Sequence, residues 1–329
     1  MDSEFLADTP GASSRNAGSA LASPDTTRGT LFGRNFVSRA LIPLLVGVAL
    51  SAQTQGFDLT LVDVYGATKV IGRLPASVYA PRISPDGTRV AFETRDPTGP
   101  HGVRLWVANL SNLAGRVPLA PLGAIGNWAP MWSPDGERLV FLAAGDRPDA
   151  VMWRRADGTG SAEHLVDARS AEGWVGGGSQ LRFLTLTGNR DYGISFLDMK
   201  TRAITPFIDL PGSAQHSSAV SPDGRWMAYA SNETGRYEVW LEPMPRTDAR
   251  YQLTRNGGSH PLWSPDGQSI YFDRDSQLFR FAVNLKDPAS VASPVPLPIK
   301  GFVQAEYRRQ FDMMPNGRQF LVLIPVKGQ

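Results

Sequence analysis

Ser84-Pro85-Asp86-Gly87 is the tetrapeptide that decides the fold of this chain, because it returns three more times. The other copies begin at Ser133, Ser221 and Ser264, and each is followed by a short run of β-forming residues. Proline presets φ at the second turn position, aspartate bonds to nearby backbone, and glycine accepts the left-handed conformation that follows. The tetrapeptide therefore predicts a tight turn between two strands.

Two weaker copies complete a regular repeat. Gly176-Gly177-Gly178 occupies the turn position between the second and third full copies, and Met314-Pro315-Asn316-Gly317 follows the last one. The spacing between neighbouring copies then varies from 42 to 50 residues. A propeller blade has a period of ~40–50 residues and contains four antiparallel strands. The repeat therefore predicts an all-β chain.

The two ends of the repeat predict how the ring of blades closes. After the sixth turn the chain offers only one more strand, over residues 319–326. Before the first turn, segments 58–64 and 68–71 read as strands without a partner. We therefore expect a composite blade with two strands from each terminus, because closure leaves few free sheet edges. The expected fold is a six-bladed β-propeller of four-stranded antiparallel blades over residues 57–326.

Composition excludes several classes of function. The chain has 329 residues with a formal charge of +2, and it contains no long block of Lys or Arg. A nucleic-acid partner is therefore not expected. The absence of cysteine excludes disulfides, thiolate metal sites and a cysteine nucleophile.

The N-terminal region predicts an exported protein. Residues 1–36 are rich in Ser, Ala and Gly and predict a disordered leader, with the true translation start hypothesised near Val37. Residues 37–52 predict a signal peptide, because an apolar run of 11 residues follows a basic flank. That run is too short to cross a bilayer, which needs ~20 residues. An uncleaved anchor or a helix packed on the domain is the alternative. The expected location is periplasmic or secreted, with no membrane span after cleavage.

Longer motifs carry a resemblance to known propellers. Pro130-Met131-Trp132-Ser133 and Pro261-Leu262-Trp263-Ser264, each leading into Pro-Asp-Gly, resemble the WD-like repeats of TolB-type propellers. The final third, which includes Phe311-Asp312-Met313-Met314-Pro315, is similar to the propellers of bacterial transmembrane Ser/Thr kinases. The resemblance implies a propeller over residues 57–326. No kinase signature is present, and the stretch before the propeller is expected to hold only the leader and the signal peptide, not the α/β domain that precedes the propeller in TolB. Kinase signalling and the Tol–Pal role are therefore not expected to transfer.

A candidate site lies where the chain enters the innermost strands. His216 and His260 precede their turns by five and four residues, and Trp128 and Glu306 occupy equivalent places. These side chains are expected at the mouth of the central channel. Loops between second and third strands share that end and carry charges that suit protein or peptide recognition. The arginines of this predicted rim are Arg147, Arg190, Arg236 and Arg274. Separate solvated loop histidines and an ordinary solvated rim are the alternatives.

No catalytic motif accompanies these residues. The sequence contains neither a Gly-x-Ser-x-Gly elbow nor a His-x-x-x-His pair, so no catalytic residue, metal or cofactor is expected. The prediction is a monomeric, non-enzymatic module that binds an envelope or periplasmic protein or a peptide. Two alternatives remain: a metal-dependent lyase or hydrolase that uses the channel histidines, and a sensor whose output partner is encoded separately.

Overall fold

A computed structural model describes residues 54–327, apart from residues 76, 96–101, 120–125, 146–148, 189–190, 289 and 291. The chain divides into two compact parts, and all of these described residues belong to the second part, Val46–Gln329. The predicted leader and signal peptide lie outside them, as do Arg147 and Arg190 of the predicted rim. Among the described residues, no helix is both long and apolar enough to cross a bilayer.

Most described strands form four-stranded antiparallel sheets whose strands pair in chain order. Three of these sheets are separate, and we call them units 3, 4 and 5. Unit 3 contains β11 (Ser170–Val175), β12 (Gln180–Leu186), β13 (Tyr192–Asp198) and β14 (Ile204–Ile208). Unit 4 contains β15 (Gln215–Val220), β16 (Trp226–Ser231), β17 (Glu238–Pro243) and β18 (Tyr251–Gln252). Unit 5 contains β19 (Ser259–Trp263), β20 (Ser269–Arg274), β21 (Gln277–Ala282) and β22 (Val295–Lys300).

An eight-stranded sheet contains two more units of the same kind. One parallel bridge, between Val103 and Gly126, joins them. Unit 1 contains β3 (Val78–Ile83), β4 (Arg89–Arg95), β5 (Val103–Asn109) and β6 (Asn112–Leu119). Unit 2 contains β7 (Gly126–Trp132), β8 (Arg138–Ala144), β9 (Ala150–Arg155) and β10 (Glu163–Asp167).

The remaining sheet takes strands from both ends of the described chain. Its order is β2 (Thr68–Leu74), β1 (Thr54–Asp63), β24 (Gln319–Lys327) and β23 (Phe311–Met313). β1 and β24 are antiparallel, and Leu61 lies opposite Leu321. The predicted composite blade is therefore confirmed, and we call it the closing unit.

The hydrophobic core lies between neighbouring sheets. Each complete copy of the turn places an aromatic residue eight positions after its serine, in the second strand of the unit. These aromatic side chains are fully buried: Phe92, Phe141, Tyr229 and Phe272. Burying a side chain of this size stabilises the fold by about 1.5–3 kcal/mol.

The repeated tetrapeptide forms the predicted turn between first and second strands. In unit 1, the Gly87 N–H donates to the Ser84 carbonyl at 2.8 Å. The Asp86 carboxylate accepts the Ser84 hydroxyl and the Thr88 N–H. These two bonds, the hydroxyl first, lower the pKa of Asp86 to about 2. The aspartate therefore stabilises the turn, and each complete copy repeats the arrangement.

The turns also contact each other from unit to unit. A Cβ added to Gly136 would lie 3.6 Å from Pro85 of the preceding turn, and one added to Gly317 would lie 2.9 Å from Pro265. The turn of unit 3 has no proline, and Gly224 in the next turn has nothing within 4 Å of its Cβ position. The proline–glycine contact is thus missing at the seam between units 3 and 4.

Indole hydrogen bonds join the innermost strands of neighbouring units. The tryptophan directly before the turn serine donates its Nε1–H to a backbone carbonyl of the preceding unit. Trp132 donates to Arg82 at 2.9 Å, and Trp263 donates to Ala219 at 3.0 Å. These bonds explain the Trp-Ser-Pro-Asp-Gly pattern and fix the innermost strands around the centre of the ring.

Candidate functional site

Four innermost strands bulge at the same place. Ala80, Ala129, Ser217 and His260 have positive φ angles of 50°, 49°, 55° and 54°, and each lies four residues before its turn serine. The pairing with the second strand shifts register at each of these points. Such a bulge bends the strand and leaves an amide without its ladder partner. Polar backbone therefore becomes available near the centre of the ring.

Carboxylates from neighbouring units bind amides at these bulges, and Glu93 is fully buried whereas Glu172 is half-buried. Glu93 Oε2 of unit 1 accepts the Ala129 N–H of unit 2 at 2.9 Å. Glu172 Oε2 of unit 3 accepts the Ser218 N–H of unit 4 at 2.5 Å. Each contact satisfies a backbone donor and also holds a carboxylate at the centre of the ring.

The chain between β22 and β23 crosses the centre of the ring. We call residues 306–309 of this connection the central segment. The Tyr307 ring lies 5.3 Å from the His216 ring of unit 4, 6.2 Å from that of Tyr237 and 6.0 Å from that of Tyr192 in unit 3, between centroids. Tyr307 lies in the connection from unit 5 to the closing unit, yet it contacts units 3 and 4.

Arg308 makes the corresponding contacts with units 1 and 2. Its guanidinium lies 4.7 Å from the centre of the Trp128 ring and forms an ion pair with Glu93, which is fully buried. Two consecutive residues of the central segment therefore contact four units.

A cavity of about 240 Å³ lies between the central segment and the innermost strands. Its wall takes residues from units 1 to 5 and from the central segment. The wall residues that carry chemistry are Arg82, Glu172, Ser218, His260, Tyr307 and Arg309.

Three arginines line this cavity, and they differ in their partners. Arg308 pairs with Glu93, and Arg309 Nη2 pairs with Asp312 Oδ1 at 2.8 Å. Within the described residues, Arg82 has no carboxylate at ion-pair distance.

Arg82 is held in place by backbone carbonyls instead. Its Nη1 donates to Pro81 at 2.7 Å and to Arg309 at 2.8 Å. Burial, and then the neighbouring Arg309 charge, lower the pKa of Arg82 to about 9. The guanidinium remains charged at neutral pH; the carboxylates of Asp312, Glu93 and Glu172 favour its charge from a distance, but none of them forms an ion pair with it.

Glu172 lies on the wall formed by unit 3. Burial raises the pKa of its carboxyl to about 6, although the bonds from Ser218 and the charge of Arg182 act in the opposite direction. The Arg182 Nη2 group donates to the Glu172 backbone carbonyl at 3.3 Å. The Glu172 carboxyl therefore has a pKa of about 6, above the ordinary range of a glutamate.

The two predicted histidines come together and are buried. His216 is fully buried and His260 is 1% exposed, with ring centroids 5.9 Å apart. The His260 Nδ1 contacts Asp273 Oδ1 at 2.7 Å, and the His216 Nδ1 contacts Ser217 Oγ at 2.7 Å. Burial, and then His260, hold the pKa of His216 well below its usual value. The alternative of separate solvated loop histidines is therefore wrong.

Both histidines keep one buried nitrogen without a partner. Neither Nε2 atom has a hydrogen-bond partner in the described part of the chain. The same described residues contain no group of three or more His, Cys, Asp or Glu side chains suited to a metal ion. Two imidazoles offer too few ligands for the usual three- or four-ligand zinc site.

The other predicted site residues divide between centre and periphery. Trp128 contacts Arg308 at the centre, and Glu306 is exposed on the central segment. Arg236 is exposed, with its Nε 3.8 Å from Glu238 Oε1. Arg274 lies over the Phe279 ring at 4.2 Å and lines a separate groove between units 4 and 5.

Sequence reasoning missed Arg82, Glu93, Glu172, Tyr307 and Arg308. One of them, Arg82, carries a signal in the repeat itself. The position two residues before the turn serine holds Arg82 in unit 1 but Met131, Ala219 and Leu262 in other units. A charge at a position that is apolar in the three other complete copies marks a residue with a separate role.

Comparisons with solved structures identify the fold. A protein assigned as TolB from Agrobacterium tumefaciens matches with a TM-score of 0.64 and 16% identity, over 82% of this chain and 98% of that chain. TolB from Acinetobacter baumannii matches with a TM-score of 0.53 and 16% identity, over 74% and 65% of the two chains. A chain of Kuenenia stuttgartiensis hydrazine synthase matches with a TM-score of 0.57 and 13% identity, over 86% and 99%.

Sequence-based comparisons find no match. No protein-family profile matches the chain, and no curated protein matches it. At these identities the structural likeness concerns the fold alone, and proteins of different function share it. The all-β class, the four-stranded antiparallel sheets and the likeness to solved TolB structures agree with one another. The chain therefore has the fold of a TolB-like β-propeller.

Proposed function

We propose that the chain is an exported, monomeric, non-enzymatic module that binds a periplasmic or envelope protein, or a peptide, over the channel mouth. The central segment is the observation that carries this proposal. Tyr307 and Arg308 gather aromatic and charged side chains from four units around one opening. Aromatic and arginine side chains supply most of the binding energy at protein interfaces.

A displayed peptide library selected on the purified chain tests this proposal. Trp128→Ala and Arg236→Glu should each weaken selected peptides about tenfold or more, because they remove an aromatic anchor and reverse a rim charge. Arg318→Glu is the control, since Arg318 is an exposed residue beside a turn. Failure to select any peptide, or equal affinity in all three variants, contradicts the proposal.

A second candidate function rests on the buried histidine pair. His216 and His260 each keep an unpaired Nε2, and a metal-dependent lyase or hydrolase that used them would need its remaining metal ligands from water or substrate. Elemental analysis of the purified chain and of His216→Ala and His260→Ala separates the two functions. Stoichiometric metal that is lost in both variants would overturn the binding module.

A further inference from the structure

We propose that the central cavity binds the carboxylate of its ligand at Arg82, and that this ligand is a peptide with a free C-terminal carboxylate or a small carboxylic acid. The inference rests on the proposed binding function and names the chemical group that the site recognises.

The charges of the cavity wall indicate one missing anion. Arg308 and Arg309 have carboxylate partners in Glu93 and Asp312, whereas Arg82 has none among the described residues. Arg82 is half-buried and has lost part of its hydration, so pairing with an anion would stabilise its charge. The protein satisfies Arg82 with carbonyl oxygens, which bind a guanidinium but do not neutralise it.

The geometry of Arg82 suits a ligand. Its Nη1 is occupied by the carbonyls of Pro81 and Arg309, so the orientation of the planar group is fixed before binding. No described residue accepts a hydrogen bond from its Nε or Nη2, and the side chain lines the cavity. An arginine with two donors free presents a fork that matches the two oxygens of a carboxylate.

Glu172 does not supply the missing anion. Its Oε2 accepts both the N–H and the hydroxyl of Ser218, at 2.5 and 3.3 Å, on the wall of unit 3. Arg182 lies beside it and offsets its charge. The Glu172 carboxylate is therefore held within its own wall.

The size and charge of the cavity limit the ligand. A volume of about 240 Å³ holds several water molecules, each of which occupies ~30 Å³ in the liquid, or one or two amino-acid residues. A folded partner cannot enter, but a chain end can. One unpaired guanidinium calls for one negative charge, so a monoanionic carboxylate suits the site better than a phosphate dianion beside Glu172.

Thermal unfolding tests the proposal with four probes at equal ionic strength: N-acetyl-glycylglycine, its C-terminal amide, acetate and inorganic phosphate. At 100 mM, we expect the free carboxylate of the dipeptide to raise Tm by about 2–4 °C, since a ligand that binds only the folded state stabilises it. The amide should leave Tm unchanged. This comparison uses the unaltered chain and does not depend on any variant.

Variants then assign the effect to Arg82. Arg82→Gln should abolish the Tm shift, and Arg82→Lys should reduce it, because lysine keeps the charge but lacks the fork. Arg318→Gln is the control and should show the full shift, since Arg318 is exposed beside a turn. Far-UV circular dichroism establishes that each variant is folded.

The outcomes distinguish the two sources of the carboxylate. A larger shift with the dipeptide than with acetate assigns the site to a peptide C-terminus, and equal shifts assign it to a small carboxylic acid. An equal response to the amide, a larger response to phosphate, no response to either carboxylate or a full shift in Arg82→Gln overturns the proposal. If selected peptides still depend on Trp128, the carboxylate inference alone has failed and the binding module stands.

Discussion

Glu172 shows how one residue can make the ring sensitive to pH. Its carboxyl accepts the Ser218 N–H across the seam between units 3 and 4, and burial raises its pKa to about 6. A raised pKa means that the folded state binds a proton more tightly than the unfolded state does. The free energy of folding that comes from this tighter proton binding is fully present below pH 4.5, the ordinary pKa of a glutamate. It is lost as the pH rises through about 6, the pKa in the folded state.

Replacement of Glu172 by Gln isolates this effect. We expect the wild-type Tm minus the Glu172→Gln Tm to fall as the pH increases from about 4.5 to 6.5, because only the wild type loses a proton in this window. Glutamine can still accept the Ser218 N–H, so the fold is retained. Tm measured across this pH range for both proteins tests the prediction.

Glu163 provides a control, because its contribution to stability changes with pH in the opposite direction. Hydrogen bonds from Trp153 and Arg138 lower the pKa of its exposed carboxyl. Its contribution to stability is present above the ordinary pKa and is lost as the pH falls through the lowered value. A Tm difference for Glu172→Gln that is flat across the window, or that changes in the direction expected for Glu163→Gln, contradicts the account of Glu172.

Neighbouring four-stranded units contact each other through the turns between their first and second strands, and two turn glycines illustrate this. Gly317 and Gly224 have similar φ angles of 71° and 74°, so both disfavour a side chain. A Cβ on Gly317 would lie 2.9 Å from Pro265, whereas one on Gly224 would meet nothing within 4 Å. The two positions therefore separate backbone strain from contact between units.

We expect Gly224→Ala to lower the free energy of unfolding by about 1 kcal/mol, the usual effect of a left-handed alanine. Gly317→Ala should lower it by about 1–3 kcal/mol more, because the methyl group overlaps Pro265. Urea unfolding of both variants measures the difference. Equal losses would show that the proline contact does not join the turns.

Most strands and turns are predictable from the sequence, because they depend on residues that are close together in the chain. The turn at Ser84 needs only residues 84–89, and the spacing of its copies predicts the strands that follow. The turn at Gly176–Gly178 is a 3-10 turn without proline, and its spacing located it correctly. The contact between Glu93 and Arg308 joins residues far apart in sequence, so only the closed ring reveals it.

Closure of the ring is the property that belongs to the whole molecule. β24 pairs with β1 and β23, and its Leu321 and Leu323 are fully buried. The closing unit contacts unit 1, where Gln310 accepts the Ala80 N–H at 2.9 Å. Since each sheet packs on two neighbours, loss of one strand exposes sheet edges and core on both sides.

Removal of residues 319–329 should therefore abolish cooperative unfolding. Without β24, β1 and β2 lose their connection to β23, and the hydrophobic clusters on both sides of the closing unit lose members. Urea titration followed by tryptophan fluorescence measures the transition. A single sharp transition with an undiminished slope would show that the ring does not need its composite unit.

The proline–glycine contact has a consequence for how such a ring can be lengthened or shortened. A unit with a complete turn presents a glycine to the unit before it and a proline to the unit after it. A duplicated unit of this kind would therefore carry both the glycine and the proline that contact its neighbours. The Gly176–Gly178 turn contacts Pro134 through a glycine, but it has no proline of its own to contact Gly224. We therefore expect units with a complete turn to tolerate duplication, whereas a duplicated unit 3 would repeat a turn that lacks the proline contact.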